Sequence, residues 1–345
     1  MLKKMLLSYG FKWPYPPIGI QCVKALKRFG IKVYKFNACI ESPFFKKINK
    51  RLKKMSRSIR WIEHKERINR KLISTVRKLK PDIVLDIGGR FLYPETLKKI
   101  KDIYPKIKLC LWATEGARDI IEKDFVNEVR FYDYLFCTSV YVVEEFKKIK
   151  VKKVRYLPFG TDIDFYRKIK LSKHDLKKYS CDIGFLGACE SNREKVLSQL
   201  SEYNLAVWGT EWDKLNNRNI LKHIKGSSGL YGRNVVKFYN AAKINININR
   251  ERYNLYPSGM NLRLFDISAC HAFLITQYVE EISSAFKIGS EIEIFHNVEE
   301  LKEKIKFYLS HEDKRELIAE NSYRKIYQAH TWKQRMQEML SYLNC

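Results

Sequence analysis

Residues 229–276 constrain the fold of this chain more than any other stretch. Isoleucines alternate with asparagines over 244–249, and a period of two is typical of a β-strand. An apolar helical stripe precedes this strand, and a polar loop, a helix beginning near Asn261 and the short apolar strand AFLIT at 272–276 follow it. The order helix, strand, loop, helix, strand predicts part of a doubly wound α/β domain.

The loop before the second of these helices has the features of an anion site. Ser258 and Gly259 lead into a helix N-terminus, where backbone N–H groups lack partners and the helix dipole is positive, which suits a phosphate. Arg263 and Asp266 lie three residues apart on one helical face. Arg263 can add charge to a phosphate, and Asp266 can accept hydrogen bonds from a ribose diol. Taken alone, the two residues are more often a plain surface ion pair.

The stretch resembles the nucleotide-sugar-binding segment of group 1 glycosyltransferases, and more closely that of the spore-maturation (CgeB-type) branch. Three features carry the resemblance in order: a G-L-Y-G turn at 229–232, Asn247 in the strand, and N-x-R-x-F-acid at 261–266. In the wider group two acids, eight residues apart, frame a glycine loop. The second falls on Asp266, where Glu is usual, and the first falls on Ser258, a departure that the CgeB-type branch shares. The resemblance runs from about residue 181 to the C-terminus, and over the N-terminal half it is only architectural.

This resemblance implies an α/β protein with two Rossmann-like domains facing a cleft, the GT-B architecture. It also implies transfer of a sugar from a nucleotide-diphosphate-sugar donor, without an essential metal or another cofactor and with retention of configuration. The donor-binding residues that it and the strand-end positions indicate are Gly209, Tyr231, Gly232, Asn247, Ser258, Gly259, Met260, Asn261, Leu262 and Asp266. Asn247 is costly to bury without partners, so we expect it near the functional end of its strand, the alternative being a hydrogen-bonded core asparagine.

Three residues are candidates for catalytic roles. Arg263 is the first, through its charge. Arg193 lies in the first turn of a predicted helix, where related families place a basic residue against the diphosphate, although it could equally be a solvent-exposed surface residue. Glu115 follows the buried strand KLCLWA, at the end where open α/β sheets bind ligands, and could instead complement a helix dipole.

The first half of the chain also predicts alternating strands and helices. A strand at 4–9, a proline-rich loop, a helix over 19–29 and a strand at 31–36 begin a doubly wound domain. Gly10 and Gly19 in the loop could let the backbone approach a donor or acceptor at the cleft. The loop lacks the G-x-G-x-x-G pattern, however, and could simply be a long loop stiffened by prolines.

The predicted boundaries give an acceptor-side domain over 1–170, a nucleotide-sugar-binding domain over 171–328, and a helix over 329–345 that packs toward the first domain. Asp162 and Asp164 form a D-x-D pattern, which holds a metal in another transferase class. Because it follows a strand and precedes a basic linker, we interpret it as a turn that binds no metal.

The formal net charge of +28 at pH 7 favours anionic partners. The lysines are spread throughout the chain, so the charge identifies no single surface; peripheral membrane contact is a secondary expectation. No helix-turn-helix, zinc finger or RNP motif is present, which argues against nucleic acid. A basic nucleic-acid-binding protein and a degenerate fold that binds nucleotide sugar without turnover remain the alternatives to an enzyme.

Eight cysteines without a C-x-x-C pair indicate a reducing compartment. With no apolar run long enough for a membrane span or signal peptide, the sequence predicts a cytoplasmic protein that is soluble or peripheral to a membrane. We expect the acceptor to be a cell-surface glycan, a lipid or a protein.

Overall fold

A computed structural model describes residues 3–11, 18–38, 57–89, 91–114, 129–149, 151, 153–215, 217–226, 229–251 and 258–344, with side chains from residue 65 in the helix that begins at 57. The described chain divides into two compact units. The N-terminal unit comprises the chain up to Leu157 together with the residues from Met336 onward, and the C-terminal unit runs from Pro158 to Arg335.

The N-terminal unit is built on a parallel sheet of six strands in the order β2-β1-β3-β4-β5-β6. These strands are β1 (Lys4–Tyr9), β2 (Lys32–Asn37), β3 (Ile83–Ile87), β4 (Lys108–Ala113), β5 (Tyr134–Cys137) and β6 (Val154–Tyr156). Its helices are α1 (Ile18–Arg28), α2 (Arg57–Leu79), α3 (Pro94–Ile103) and α4 (Val140–Lys148). The central strands are almost wholly buried, as parallel strands covered on both faces must be.

Helix α2 shows how a basic segment joins this core. Ile68, Leu72 and Val76 are spaced four residues apart and are fully buried, while the intervening basic residues face outward. Helix α2 is therefore amphipathic over this stretch. At the other end of the chain, the ring of Tyr342 packs edge-on against Tyr134 and Phe136 of β5, at 5.9 and 5.7 Å.

The C-terminal unit has a second parallel sheet of six strands, in the order β12-β11-β10-β7-β8-β9. Its strands are β7 (Cys181–Leu186), β8 (Leu205–Trp208), β9 (Ile224–Gly226), β10 (Ala242–Asn247), β11 (Leu274–Gln277) and β12 (Glu293–Phe295). Its helices are α5 (Lys173–Tyr179), α6 (Ser191–Ser198), α7 (Arg218–Leu221), α8 (Arg233–Ala241), α9 (Leu262–Ala269), α10 (Glu281–Ala285), α11 (Val298–Ser310) and α12 (Glu312–Ala329); α13 (Trp332–Tyr342) follows. The alternation of isoleucines with asparagines predicted β10 correctly.

Segment 158–166 begins the C-terminal unit as an irregular connection. The backbone N–H of Tyr166 donates to the carbonyl of Asp162, whose carboxylate accepts from the N–H of Asp164 at 3.1 Å. The two acids of the D-x-D pattern therefore lie in a turn, as predicted. Within the described ranges, no helix is long and apolar enough to cross a membrane.

Candidate functional site

The order of strands in the C-terminal sheet marks where a ligand site is expected. Strands β7 and β10 are neighbours, and the chain runs outward from them in opposite directions, to β9 on one side and β12 on the other. In open α/β sheets, ligands bind at the carboxyl ends of the two strands at this switch point. Here those ends are Leu186 and Asn247.

The turn before α9 lies at this edge and starts the helix with open donors. Gly259 has φ of +98°, a conformation that glycine adopts without the strain that a side chain would bring. Asn261 is the N-cap, and its Oδ1 accepts from the backbone N–H of Arg263 at 3.1 Å. Among the described residues, the backbone N–H groups of Gly259, Met260 and Leu262 make no hydrogen bond. These amides and the positive end of the helix dipole can bind an anion.

Asn247 ends β10 and links the turn to the sheet. Its Oδ1 accepts from Asn261 Nδ2 at 3.1 Å and from Arg263 Nε at 3.0 Å, and its Nδ2 donates to Thr276 Oγ1 at 2.9 Å. Asn261 Nδ2 also donates to Asn249 Oδ1 at 3.0 Å. Asn247 is 1% exposed, so these bonds offset its desolvation. It lies at the strand end where we expected it and orients Arg263.

The guanidinium of Arg263 is held at the carboxyl ends of both switch-point strands. Besides its bond to Asn247, Nη1 donates to the carbonyl of Leu186 at 2.7 Å, and Nη2 donates to that of Ile248 at 3.4 Å. A Cβ at Gly187 would approach Nη1 to 2.6 Å, so glycine is needed beside it. The cation is therefore fixed in place before any ligand arrives, which favours electrostatic catalysis.

Arg193 lies beside Arg263 but is more deeply enclosed, at 1% exposure. Its Nε and Nη2 donate to the carbonyl of Ile248 at 3.2 and 3.0 Å, and its Nη1 donates to that of Ala188 at 3.0 Å. Both guanidinium groups lie close to the ring of Phe185, at 5.6 and 5.8 Å from its centroid. The alternative of a solvent-exposed Arg193 is wrong. Its bonds give it a positioning role and a second positive charge at the site, and direct contact with a diphosphate stays a prediction.

Asp266 lies one turn further along α9 and is 4% exposed. Its Oδ1 accepts from Thr161 Oγ1 at 2.7 Å. Burial raises the pKa of Asp266 to about 7, against the opposing effect of hydrogen bonds from Thr161 and Tyr166. The surface ion-pair interpretation is wrong, because the carboxyl is buried and Arg263 extends to the strand ends. Binding of a ribose by Asp266 stays a prediction, and such a ribose would share the carboxyl with Thr161.

Ser258, where the wider group has an acid, contacts an acid from another element. Its hydroxyl donates to Oε1 of Glu281, the first residue of α10, and the two side chains are 5% and 2% exposed. The sequence offered no signal for this contact, because the residues lie 23 positions apart. Glu281 is the main residue of the site that sequence reasoning missed.

Two of the predicted glycines lie close to other atoms of their own unit. A Cβ at Gly209 would lie 1.8 Å from the carbonyl oxygen of Gly187, so glycine is required there for the approach of two backbone segments, and its contact with a base or ribose stays a prediction. A Cβ at Gly19 would lie 2.6 Å from the ring of Tyr9, so this glycine makes room for a side chain of its own unit. Gly10 is buried directly after β1.

The remaining candidates stand apart from this network. Tyr231 is 46% exposed, and Gly232, with φ of +58°, is the N-cap of α8. In the described part of the chain, no hydrogen bond joins either residue to Asn247 or Arg263. Glu115 lies outside the described residues.

Comparison with known proteins identifies the class. Residues 193–341 match the family model described as glycosyl transferase-like. A sucrose-phosphate synthase from Thermosynechococcus elongatus has a TM-score of 0.68 at 11% identity, covering 99% of this chain and 98% of that one. The chain is a glycosyltransferase of the GT-B fold. HepE of Anabaena, in complex with UDP-glucose, also has a TM-score of 0.68, at 13% identity, covering 98% of this glycosyltransferase and 99% of HepE.

A curated relative supports the finer resemblance. Spore protein CgeB of Bacillus subtilis (strain 168) is 24% identical over 275 residues, which cover 74% of this glycosyltransferase and 81% of CgeB. The resemblance to the CgeB-type branch, predicted from the motifs of the second half, is confirmed. The family-model match contains the turn at 258–260, Arg263 and Glu281, and begins at Arg193.

Proposed function

We propose that this glycosyltransferase takes its sugar from a nucleotide-diphosphate-sugar donor and binds the donor's diphosphate at the start of α9. One observation carries the proposal. The Arg263 guanidinium is fixed by Asn247 and by the Leu186 carbonyl, at the same strand ends where the turn at 258–260 starts a helix with open amides. A phosphate fits such a combination of a fixed cation and a helix N-terminus.

The chemistry follows from where charge develops. Breaking the bond between the sugar and the diphosphate leaves negative charge on the departing oxygens. Fixed donors that face this charge lower the barrier, because they need no reorganisation during the reaction. Arg263 and the amides of Gly259 and Met260 would supply these donors, with Arg193 adding positive potential from behind. Asp266 would hold the ribose.

HepE is complexed with UDP and with UDP-glucose, so uridine nucleotides are the first donors to try. We further propose independence from a metal, because the guanidinium groups and amides can balance the charge of the leaving group. Retention of configuration is proposed from the resemblance to group 1 glycosyltransferases alone. The same proposal includes the acceptor, which would be a cell-surface glycan, a lipid or a protein. It also includes a location in the cytoplasm, with peripheral contact to a membrane. The net charge of +28 does not by itself indicate a nucleic-acid site.

Calorimetry with UDP, ADP and GDP, followed by a donor-hydrolysis assay with the corresponding glucose conjugates, tests the proposal. We expect one diphosphate to bind and its sugar conjugate to be hydrolysed slowly, with and without EDTA. Binding without hydrolysis would favour the degenerate, sugar-binding alternative. Absence of binding by all three nucleotides would overturn the donor assignment.

Retention has its own readout. NMR of the released sugar at early times, before mutarotation, reports the configuration of its anomeric carbon. A product with the donor's configuration supports retention, and the opposite anomer would show an inverting enzyme.

A further inference from the structure

Ser258 and Glu281 form a buried pair that the proposed chemistry does not use. The serine hydroxyl donates to the glutamate carboxylate, and both side chains are nearly inaccessible to solvent, at 5% and 2%. Burying a carboxylate is costly unless it serves a defined partner. We therefore ask what the Ser258–Glu281 hydrogen bond does at this position.

The pair joins two neighbouring loops at the carboxyl edge of the sheet. Ser258 begins the turn that follows β10, and Glu281 begins α10, which follows β11. Strands β10 and β11 are paired in register, with Asn247 opposite Thr276. The contact thus closes the gap between the turn and α10 next to Asn247, which orients Arg263.

A second contact fixes the same helices further along. Phe265 of α9 packs against Phe286, directly after α10, with ring centroids 6.4 Å apart. The carbonyl of Glu281 also accepts from Ser284 Oγ at 2.9 Å, which holds the start of α10. Glu281 therefore lies on a helix, α10, that is packed against α9. The turn before α9 is held by this contact as well as by its own N-cap, Asn261.

The charges decide what Glu281 can do. A carboxylate that touched the diphosphate directly would repel it. Here the carboxylate accepts the hydroxyl of Ser258, the first residue of the turn, and so fixes the serine by a hydrogen bond. The amides of Gly259 and Met260, next in the chain, depend on the orientation of Ser258.

We infer that Glu281 is a positioning residue of the donor site. Through Ser258 it fixes the turn at 258–260 so that its amides face the diphosphate, and it supplies the first residue of that turn with a carboxylate from α10. This inference rests on the proposed donor site.

A charge relocation tests the inference, with UDP as the calorimetric probe. Glu281→Ala removes the carboxylate that accepts from Ser258, and Ser258→Asp places two carboxylates side by side. We expect each single variant to bind UDP about tenfold more weakly than the wild type. The double variant Ser258→Asp/Glu281→Ala has one carboxylate again, within the turn, and should return to within about threefold of the wild type.

Thermal unfolding and a matched control separate positioning from general stability. Glu280→Ala removes the same charge from an exposed neighbour and should leave UDP affinity unchanged. If Glu281 served only the packing of α10, Ser258→Asp would not restore affinity to Glu281→Ala, and that result would overturn the inference. Wild-type UDP affinity in folded Glu281→Ala would overturn it too. Failure of the wild type to bind UDP, ADP or GDP would instead reject the donor site itself.

Discussion

The two sheets of this enzyme share a parallel, six-stranded plan but differ at the strand ends where ligands are expected. In the N-terminal sheet the order reverses between β1 and β3, and the residues paired there, Ser8 and Asp86, are buried. Asp86 accepts from the hydroxyl of Tyr132 at 3.0 Å. A buried acid at this point disfavours an anion.

The C-terminal sheet has the opposite character at its reversal. Two guanidinium groups, from Arg193 and Arg263, donate to carbonyl oxygens at the ends of β7 and β10 or just beyond them, beside the open amides before α9. The comparison teaches that topology provides the place for a ligand, whereas side-chain chemistry selects its charge. Among the described strand ends of the two units, the C-terminal reversal is the one whose fixed cations suit the proposed diphosphate.

The largest effect is expected from Arg263→Ala, which removes the fixed cation from the C-terminal strand ends. Turnover of the donor should fall by about 10²–10³-fold, because a preorganised donor to the developing charge is lost. Donor hydrolysis, measured alongside UDP calorimetry, checks this. Arg218→Ala, an exposed arginine of the same unit, is the control and should behave as wild type. Unchanged turnover in folded Arg263→Ala would show that the cation at the C-terminal strand ends does not serve the reaction.

A smaller effect is expected from Asn247→Ala, which removes the oxygen that accepts from Arg263 Nε and from Asn261 Nδ2. UDP affinity should fall about tenfold, because the guanidinium is no longer held in one orientation. Asn245, two residues earlier in the same strand, donates instead to the carbonyl of Tyr239 at 3.1 Å. Asn245→Ala should lower the melting temperature and leave the affinity of the folded protein intact. Equal losses of affinity in both variants would show that β10 is merely destabilised.

The pH dependence of stability gives a still smaller effect, specific to α9. The pKa of Asp266 is raised from 3.8 to about 7, so the folded state holds this proton more tightly than the unfolded state. The stabilisation is complete below about pH 4 and is lost as the pH rises to 7, at about 1.4 kcal/mol per pH unit. Asp266→Asn cannot ionise, so its melting temperature relative to wild type should rise across this window.

Asp175 provides a control of opposite sign. Its pKa is lowered to about 2 by hydrogen bonds from Lys237 and Ser172. Its contribution to stability is therefore present above pH 4 and lost as the pH falls toward 2. Asp175→Asn should lose stability relative to wild type near neutral pH, while Asp266→Asn gains it. If the stability of both variants relative to wild type changed in the same direction with pH, the opposite pKa shifts of Asp266 and Asp175 would be contradicted.

The sequence predicts the elements of the site better than its contacts. The alternation in β10, the cap at Asn261 and the cation at Arg263 were readable because each depends on residues close together in the chain. The burial of Arg193 was not, since it depends on the carbonyls of Ala188 and Ile248 meeting one guanidinium. Glu281 was missed for the same reason: one helix and one strand separate it from Ser258 in the chain.

The smallest expected effect tests the other half of the comparison. Asp86→Asn keeps the shape of the side chain and an oxygen that can accept from Tyr132, but removes the charge from the N-terminal reversal. If the diphosphate binds only at the C-terminal strand ends, UDP affinity should remain within about twofold of the wild type, because the substitution changes none of the groups proposed to bind the diphosphate. An acceptor bound by the N-terminal unit would instead make turnover, at saturating donor, sensitive to this change. Tighter UDP binding by Asp86→Asn would contradict the assignment of the diphosphate to the C-terminal strand ends alone.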